Sequence, residues 1–373
     1  MSGTTGIGII GAGMISEQYL TNLTVYPDIT VHVIGDLDVE RAKAQAEKWG
    51  VALGGDVDAV LAHPDVDIVI NLTIPAAHEQ VSIAALQAGK HVWTEKPLAV
   101  DRAAGRRILD AAEAAGRRVG CAPDTVLGPG FQTAKRVIAE GLIGTPYAAA
   151  TGFQWQGPDV VHPNPDFLFA HGGGPLFDMG PYYFAGLAHL FGSVSGVAAL
   201  GGRAALERSV QVGPRAGETF PVEVPTHLSV LTEFAAGQQS QSLLSFDTAI
   251  FRHGVFEVHG TEGSLVLPDP NYFTGAIQLY RPAADRAGIA AQQPEPVPVV
   301  GAETGRGLGA LDMARAIAEG RDHLATGELG YHVLDVLESV AEAVEARGFV
   351  DVTSRIETPA AMPADFDPFA RTL

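Results

Sequence analysis

The chain is short of cysteine, of basic residues and of long apolar runs, and each shortage excludes something. One cysteine, Cys121, in 373 residues leaves no partner for an intramolecular disulfide and suits a reducing compartment. Lys and Arg number 24 against 43 Asp and Glu, for a formal net charge of −19, so the clustered cations that grip nucleic acid or an anionic membrane are missing. The apolar run at residues 7–10 is too short for a signal-peptide core or a membrane span, and residues 1–5 carry no basic start. No His-x-x-x-His or acid-rich cluster stands at ligand spacing, so no metal is expected. These features predict a soluble, cytoplasmic protein with neither nucleic acid nor membrane as partner.

What is present is enough apolar sequence for a sizeable core, 46% of the chain, and enough length for two domains. Residues 7–10 read as a first strand. It runs directly into Gly11-Ala12-Gly13-Met14-Ile15-Ser16 and then a helical stretch. A strand, a Gly-x-Gly turn and a helix start form a dinucleotide phosphate site: Gly11 permits the turn, Gly13 lets backbone approach the pyrophosphate, and the helix supplies N–H groups and dipole. Ser16 takes the place of the third glycine and is still small.

Residues 31–35 read as the second strand, ending at Asp36, roughly 20 residues past the glycines. An acid there bonds the adenosine ribose hydroxyls and repels a 2′-phosphate, which favours NAD over NADP. Asp38 ranks second for that role, and Asp36 could instead cap the helix that opens near residue 39. The strand at 66–73 ends at Thr73, followed by Pro75 and a helix holding His78, which is assigned packing on the cofactor side. The next strand, 90–93, delivers Glu95-Lys96-Pro97 to the same edge, where a lysine at a strand's carboxyl end can point into the ligand crevice. Strands alternating with Ala-rich helices at 42–49, 81–88 and 102–115 indicate a doubly wound parallel sheet over residues 1–123.

From residue 124 the pattern changes to consecutive alternating segments, at 147–155, 226–234, 240–246, 255–259, 264–267 and 276–280. They predict an α+β domain over 124–373 with one large, mainly antiparallel open sheet. Residues 282–301 read as a surface loop, and 308–319 and 330–346 as amphipathic helices. One glycine-rich segment interrupts the strands, Gly172-Gly173-Gly174 through Asp178 and Tyr182. A helix over 177–191 would place Asp178 and Tyr182 one turn apart on one face, with Pro181 kinking it near its start. Asp124, Trp155 and His162 are further candidates to line a pocket.

Taken together, Gly11-Ala12-Gly13, Glu95-Lys96-Pro97, Gly172-Gly173-Gly174 through Asp178-Met179-Gly180, and His259-Gly260-Thr261-Glu262-Gly263-Ser264 resemble the Gfo/Idh/MocA oxidoreductase family, the glucose–fructose oxidoreductase and inositol dehydrogenase group. The resemblance spans nearly the whole chain. It implies a Rossmann domain that binds NAD through Gly11, Gly13, Met14, Ile15, Asp36, Thr73, Pro75, His78, Glu95 and Lys96, and a second domain whose sheet joins copies into a homodimer or homotetramer. It further implies hydride transfer between a sugar, cyclitol or related polyol and the cofactor, with Lys96, Asp178 and Tyr182 at the reacting centre and Asp124, Trp155 and His162 near the substrate.

Two positions depart from the family pattern: Tyr182 stands where a histidine commonly acts as general acid/base, and Ala185 where another acid is usual. A tyrosine, with a reference pKa near ~10, is a poor base alone, but a lysine cation and an oxidised nicotinamide nearby favour its phenolate. Either Tyr182 exchanges the proton, or Lys96 does so while Tyr182 orients the substrate oxygen. The alternatives are a non-catalytic sensor of NAD and sugar, and an NAD-assisted glycoside-cleaving enzyme.

Overall fold

The computed structural model describes residues 4–373. Residues 1–3, the start of the expected first domain and of the segment read as lacking a leader, lie outside the described residues. The contacts divide the chain into one unit of residues 1–129, 301–334 and 362–373, and a second of residues 130–300 and 335–361.

The first unit holds a six-stranded sheet in the order β3-β2-β1-β4-β5-β6. Its strands are β1 (Thr5–Ile10), β2 (Ile29–Gly35), β3 (Leu53–Gly55), β4 (Ile68–Asn71), β5 (His91–Thr94) and β6 (Val119–Cys121), and every pair is parallel. The connecting helices are α1 (Met14–Leu23), α2 (Val39–Trp49), α3 (Val57–Leu61), α4 (Pro75–Gln87) and α5 (Arg102–Ala115). Four-residue β4 is wholly buried, as a strand covered by helices on both faces must be. Capping follows the sequence closely. Asp38, Asp56 and Asp101 each accept a backbone N–H three residues on, opening α2, α3 and α5.

The division differs from one at residue 123, and named contacts show why. The backbone N–H of Cys121 donates to Ala325, Gly120 forms a bridge with Thr326, and Trp93 sits against Gly309. Segment 301–334, expected in the second domain, therefore returns to complete the first. The last residues do the same. Asp28, fully buried, accepts from Arg315, from the hydroxyl and N–H of Thr372 and from the N–H of Leu373, while Arg315 also donates to the carbonyls of Asp367 and Ala370.

The second unit is built on a nine-stranded sheet in the order β16-β15-β14-β13-β7-β12-β11-β8-β17. The strands are β7 (Pro146–Gln154), β8 (Val194–Gly202), β11 (His227–Phe234), β12 (Gln239–Ser245), β13 (Arg252–Gly260), β14 (Ser264–Val266), β15 (Ile277–Tyr280), β16 (Glu295–Val297) and β17 (Phe349–Asp351); β9 (Glu207–Ser209) and β10 (Thr219–Pro221) pair separately. Only β12 and β7 run parallel, so the sheet is mainly antiparallel as expected. Along β11 exposed and buried residues alternate strictly, leaving one face covered and one open. The segment expected as a loop, 282–301, contains edge strand β16 and the short helix α9 (Arg286–Ala291). The remaining helices of the chain are α6 (Pro129–Ala139), α7 (Gly174–Asp178), α8 (Gly180–Phe191), α10 (Leu308–Glu319) and α11 (Gly327–Ala346), the unit division falling inside α11. No helix among the described residues is long and apolar enough to cross a membrane.

The buried Arg315–Asp28 pair, 2.7 Å apart, ties the terminal residues to the first sheet. Replacing Asp28 by Ala strands a buried guanidinium and is expected to cost about 3–5 kcal/mol of unfolding free energy, read from denaturant melts of the two proteins.

Candidate functional site

The residues expected to hold a dinucleotide gather at one edge of the parallel sheet, the carboxyl ends of β1, β2, β4 and β5. The turn after β1 is tight. Gly11 has φ +109°, and a Cβ there would stand 2.7 Å from the backbone of Leu72, so only glycine fits. Gly13 caps α1 with no atom within 4 Å of where its side chain would be, leaving its outer surface and the first N–H groups of α1 open. Ser16 is fully buried and donates to the Gly13 carbonyl, the packing role of a small third residue.

Asp36 and Asp38 divide their work. Asp38 caps α2, accepting from the Arg41 N–H. Asp36 stands one layer in, accepting from the N–H of Ala12 at 2.7 Å, from the Asp38 N–H and from the Arg41 guanidinium at 2.6 Å. Burial pushes its carboxyl up, but Arg41 and the two N–H groups outweigh that and hold it below the usual carboxylate range. It is an anion bonded to the turn after β1.

Three apolar side chains here look unfinished: Met14 opening α1, Leu37 following Asp36 and Ile74 following Thr73 are 74%, 94% and 65% exposed. Exposed apolar surface at the ends of three strands suits the flat faces of a dinucleotide, and with the Gly11 cradle and the anionic Asp36 it fits NAD. Sequence reasoning did not single out Leu37 or Ile74; the signal available was an apolar residue directly after a strand-ending polar one.

The end of β5 differs from a surface pair. Glu95 is buried, accepting from the Tyr19 hydroxyl at 2.9 Å and from the N–H of Lys96 at 2.9 Å, and Tyr19 in turn accepts from the Trp93 indole. Glu95, expected beside the cofactor, thus braces the loop from behind, since a buried carboxylate must find donors. Lys96 remains half-buried at the edge, before a cis peptide to Pro97. His78, also expected at the cofactor, is fully buried, with Nδ1 2.7 Å from the Pro97 carbonyl and Nε2 3.0 Å from that of Thr73.

Asp124 was expected near substrate, yet it is fully buried in the first unit, and its Oδ2 accepts the N–H groups of Gly307 and Gly309 at the start of α10. A helix start carries unpaired donors and partial positive charge, which is where a buried carboxylate settles.

In the second unit the single helix expected over 177–191 is two. α7 ends at Asp178 and α8 begins at Gly180, with Met179 (φ −104°, ψ −30°) between them. Pro181 has no N–H and its ring would meet the carbonyl four residues back, so the helix cannot run through. Asp178 is half-buried at the break, and Tyr182 is buried in the first turn of α8, its N–H donating to Met179. The glycines before them serve the chain's own packing: a Cβ on Gly173 would stand 2.7 Å from the Phe167 carbonyl. Trp155 lies edge-on to Phe153, Phe246 and His253, and its buried indole nitrogen has no hydrogen-bond partner among the described residues. His162 is held in a loop, edge-on to Phe167 and accepting from the Asn164 N–H. No group of three or more His, Cys, Asp or Glu among the described residues is placed to hold a metal ion.

Residues 5–122 match the Gfo/Idh/MocA family described as "Oxidoreductase family, NAD-binding Rossmann fold", and residues 131–266 match its C-terminal domain. The chain is 30% identical to an uncharacterised oxidoreductase of Rhizobium meliloti, over 70% of this chain and 74% of that protein. It is 35% identical to the inositol 2-dehydrogenase of Klebsiella pneumoniae over 38% of this chain and 43% of the enzyme, and 26% identical to the levoglucosan dehydrogenase of Pseudarthrobacter phenanthrenivorans over 93% and 97%. A solved levoglucosan dehydrogenase in complex with NADH superposes with a TM-score of 0.81 at 23% identity, covering 94% of this chain and all (100%) of that one.

Burial pushes the Asp124 carboxyl up to about 6, against the N–H of Gly309, Arg306 and the N–H of Gly307, with Glu95 adding to the rise. A carboxyl raised on folding contributes stability at low pH that is lost as pH climbs through its folded value. Relative to an Asp124→Asn variant, the protein is therefore expected to lose about 3 kcal/mol between its ordinary pKa of 3.8 and about 6, measured as the difference between two urea-melt series across pH 3.5 to ~7.

Proposed function

Because the chain belongs to the Gfo/Idh/MocA oxidoreductase family, we propose that it is an NAD-dependent dehydrogenase or reductase of a sugar, cyclitol or related polyol. The observation that carries this reading is Lys96: a half-buried cation at the carboxyl end of β5, its backbone N–H fixed by buried Glu95, on the edge that holds the Gly11 turn and Asp36. The names of the two dehydrogenases above, for inositol and levoglucosan, support a polyhydroxylated substrate.

NAD supplies the hydride acceptor when bound. The chain must supply a group to take the hydroxyl proton as the hydride leaves. Lys96 and Tyr182 are the two candidates for that proton, and Asp178 binds a neighbouring hydroxyl. In the reading we favour Lys96 carries more of the proton chemistry than in relatives with histidine, because tyrosine is the weaker partner at neutral pH. Asp36, already anionic, accepts the ribose hydroxyls and disfavours a 2′-phosphate. Trp155, with a buried indole N–H awaiting an acceptor, and His162 are the substrate-side contacts we retain.

A second copy of the chain is the proposed partner, as homodimer or homotetramer. The open face of the second sheet carries Leu200, Leu231 and Phe349 at 67%, 54% and 76% exposure, on adjoining strands β8, β11 and β17. Apolar side chains grouped on one sheet face are what an interface covers.

Three substitutions test the reading in steady-state assays over a panel of sugars and cyclitols. Lys96→Met is expected to lower kcat about 10²–10⁴-fold with NAD still bound, and Tyr182→Phe to flatten one limb of the pH–rate profile. Near-normal turnover by Tyr182→Phe would remove that residue from proton transfer. Asp36→Ala is expected to raise kcat/KM for NADP relative to NAD by about tenfold or more. Tight NAD binding with no oxidation or reduction of any free sugar or cyclitol would sink the dehydrogenase reading.

A further inference from the structure

Of the buried titratable groups outside the reacting trio, His78 stands apart because of what its two nitrogens face. The ring sits on α4, fully buried, between two chain segments that leave neighbouring parallel strands. Nδ1 lies 2.7 Å from the carbonyl of Pro97, in the loop after β5, and Nε2 lies 3.0 Å from the carbonyl of Thr73, in the turn after β4. The Thr73 turn is also held by Asn71, whose Oδ1 accepts from the N–H and hydroxyl of Thr73 while its Nδ2 donates to the His78 carbonyl and to Ser82. Lys96 is the residue next to one end of this bridge.

We infer that His78 is a positioning residue: by tying the Thr73 carbonyl to that of Pro97 it sets the place of Lys96 relative to the turn after β4, and the tie is complete only when the ring carries both protons. Carbonyl oxygens accept and never donate. A neutral imidazole donates from one nitrogen, so it satisfies one of the two carbonyls and turns a lone pair toward the other; only the imidazolium donates to both. The charged groups acting on the ring are Glu95 and Lys96, both just after β5, while Asn71 holds the His78 backbone carbonyl and Ser82 of the same helix. Burial pushes the ring below the ordinary histidine range, with Lys96 acting in the same direction, while the two carbonyls and Glu95 oppose it.

At neutral pH the ring therefore holds one proton, and the shorter contact assigns it to Nδ1 and Pro97. The Lys96-Pro97 loop stays tied, while the Thr73 carbonyl faces a lone pair and lacks a donor from the ring. Acidification supplies the second proton and locks the turn. Lys96 and His78 disfavour each other's charge, so the proton inventory of the lysine is linked to the neighbouring turn.

Two kinds of measurement test this, one independent of turnover. In uniformly ¹⁵N-labelled protein, the His78 ring is expected to show one protonated nitrogen at neutral pH and two on acidification, with the amide resonances of Ile74 and Leu98, whose peptide units carry the two carbonyls, moving in the same titration. A second proton taken up with neither amide responding, or a ring that never takes it in the folded protein, overturns the proton-dependent tie. The kinetic arm rests on the proposed dehydrogenase activity. His78→Phe, which fills the space without donating, is expected to lower kcat about ten- to a hundredfold with a smaller change in the KM for NAD and to shift the Lys96 limb of the pH–rate profile. His78→Gln, with an amide able to reach one carbonyl, recovers part of that loss. A folded, NAD-binding His78→Phe with wild-type kcat and an unmoved profile overturns the positioning role. If His78→Phe does not fold, the His78→Gln profile and the wild-type titration decide. Absence of any turnover in the wild type would count against the dehydrogenase reading alone, because the ring titration would still stand.

Discussion

A buried carboxylate at the end of β5 is the constraint on which the candidate site rests. Glu95 cannot leave its charge undonated, and the donors it finds are the Tyr19 hydroxyl, from α1, and the backbone N–H of Lys96. The first contact joins the helix that follows the Gly11 turn to the strand that delivers the lysine. The second fixes the lysine's own backbone. The Trp93 indole donates to the same tyrosine, so strand, helix and loop form one hydrogen-bonded corner. Through that N–H, buried Glu95 sets the backbone of the lysine that stands half-buried at the sheet edge.

Around that corner the first unit repeats one device: acids are drawn to backbone N–H groups. Asp36 draws in the Gly11 turn through Ala12, Asp124 the start of α10, and Asp28 the terminal residues. A chain with a net charge of −19 spends part of its acid excess in this way, as internal anchors for loops and termini. The second unit uses a different economy, an apolar covered face and an open one, and it presents Asp178 and Tyr182 where proline stops one helix and starts another.

Much of this was legible beforehand because it depends on neighbours in sequence. The Gly11-Ala12-Gly13 turn, the acid at the end of β2, the lysine after β5 and the alternating strands of the second sheet all follow from periodicity and turn chemistry over a few residues. What was not legible depends on partners far along the chain. Glu95 and Lys96 are adjacent, yet Tyr19 decides that one is buried and the other lies at the edge. Asp124 reads as a pocket acid in sequence, and only the N–H groups of Gly307 and Gly309, 183 and 185 residues further along the chain, draw it inside. Edge strand β16 lay inside a stretch whose composition reads as loop, because pairing with β15 rather than propensity makes it a strand.

The sequence by itself determined the class of fold, the cofactor's phosphate turn, the family and the residues in contention for the chemistry, because each is written in contiguous residues whose local geometry has few solutions. Only the tertiary structure decided which contenders are buried and which stand exposed at the sheet edge. Glu95, His78 and Asp124 went to the interior, and Leu37 and Ile74 came to the surface. The physical reason is that burial is a property of the packed chain: a charged or polar side chain stays inside only where distant backbone supplies its partners, and no local pattern records where that backbone will be.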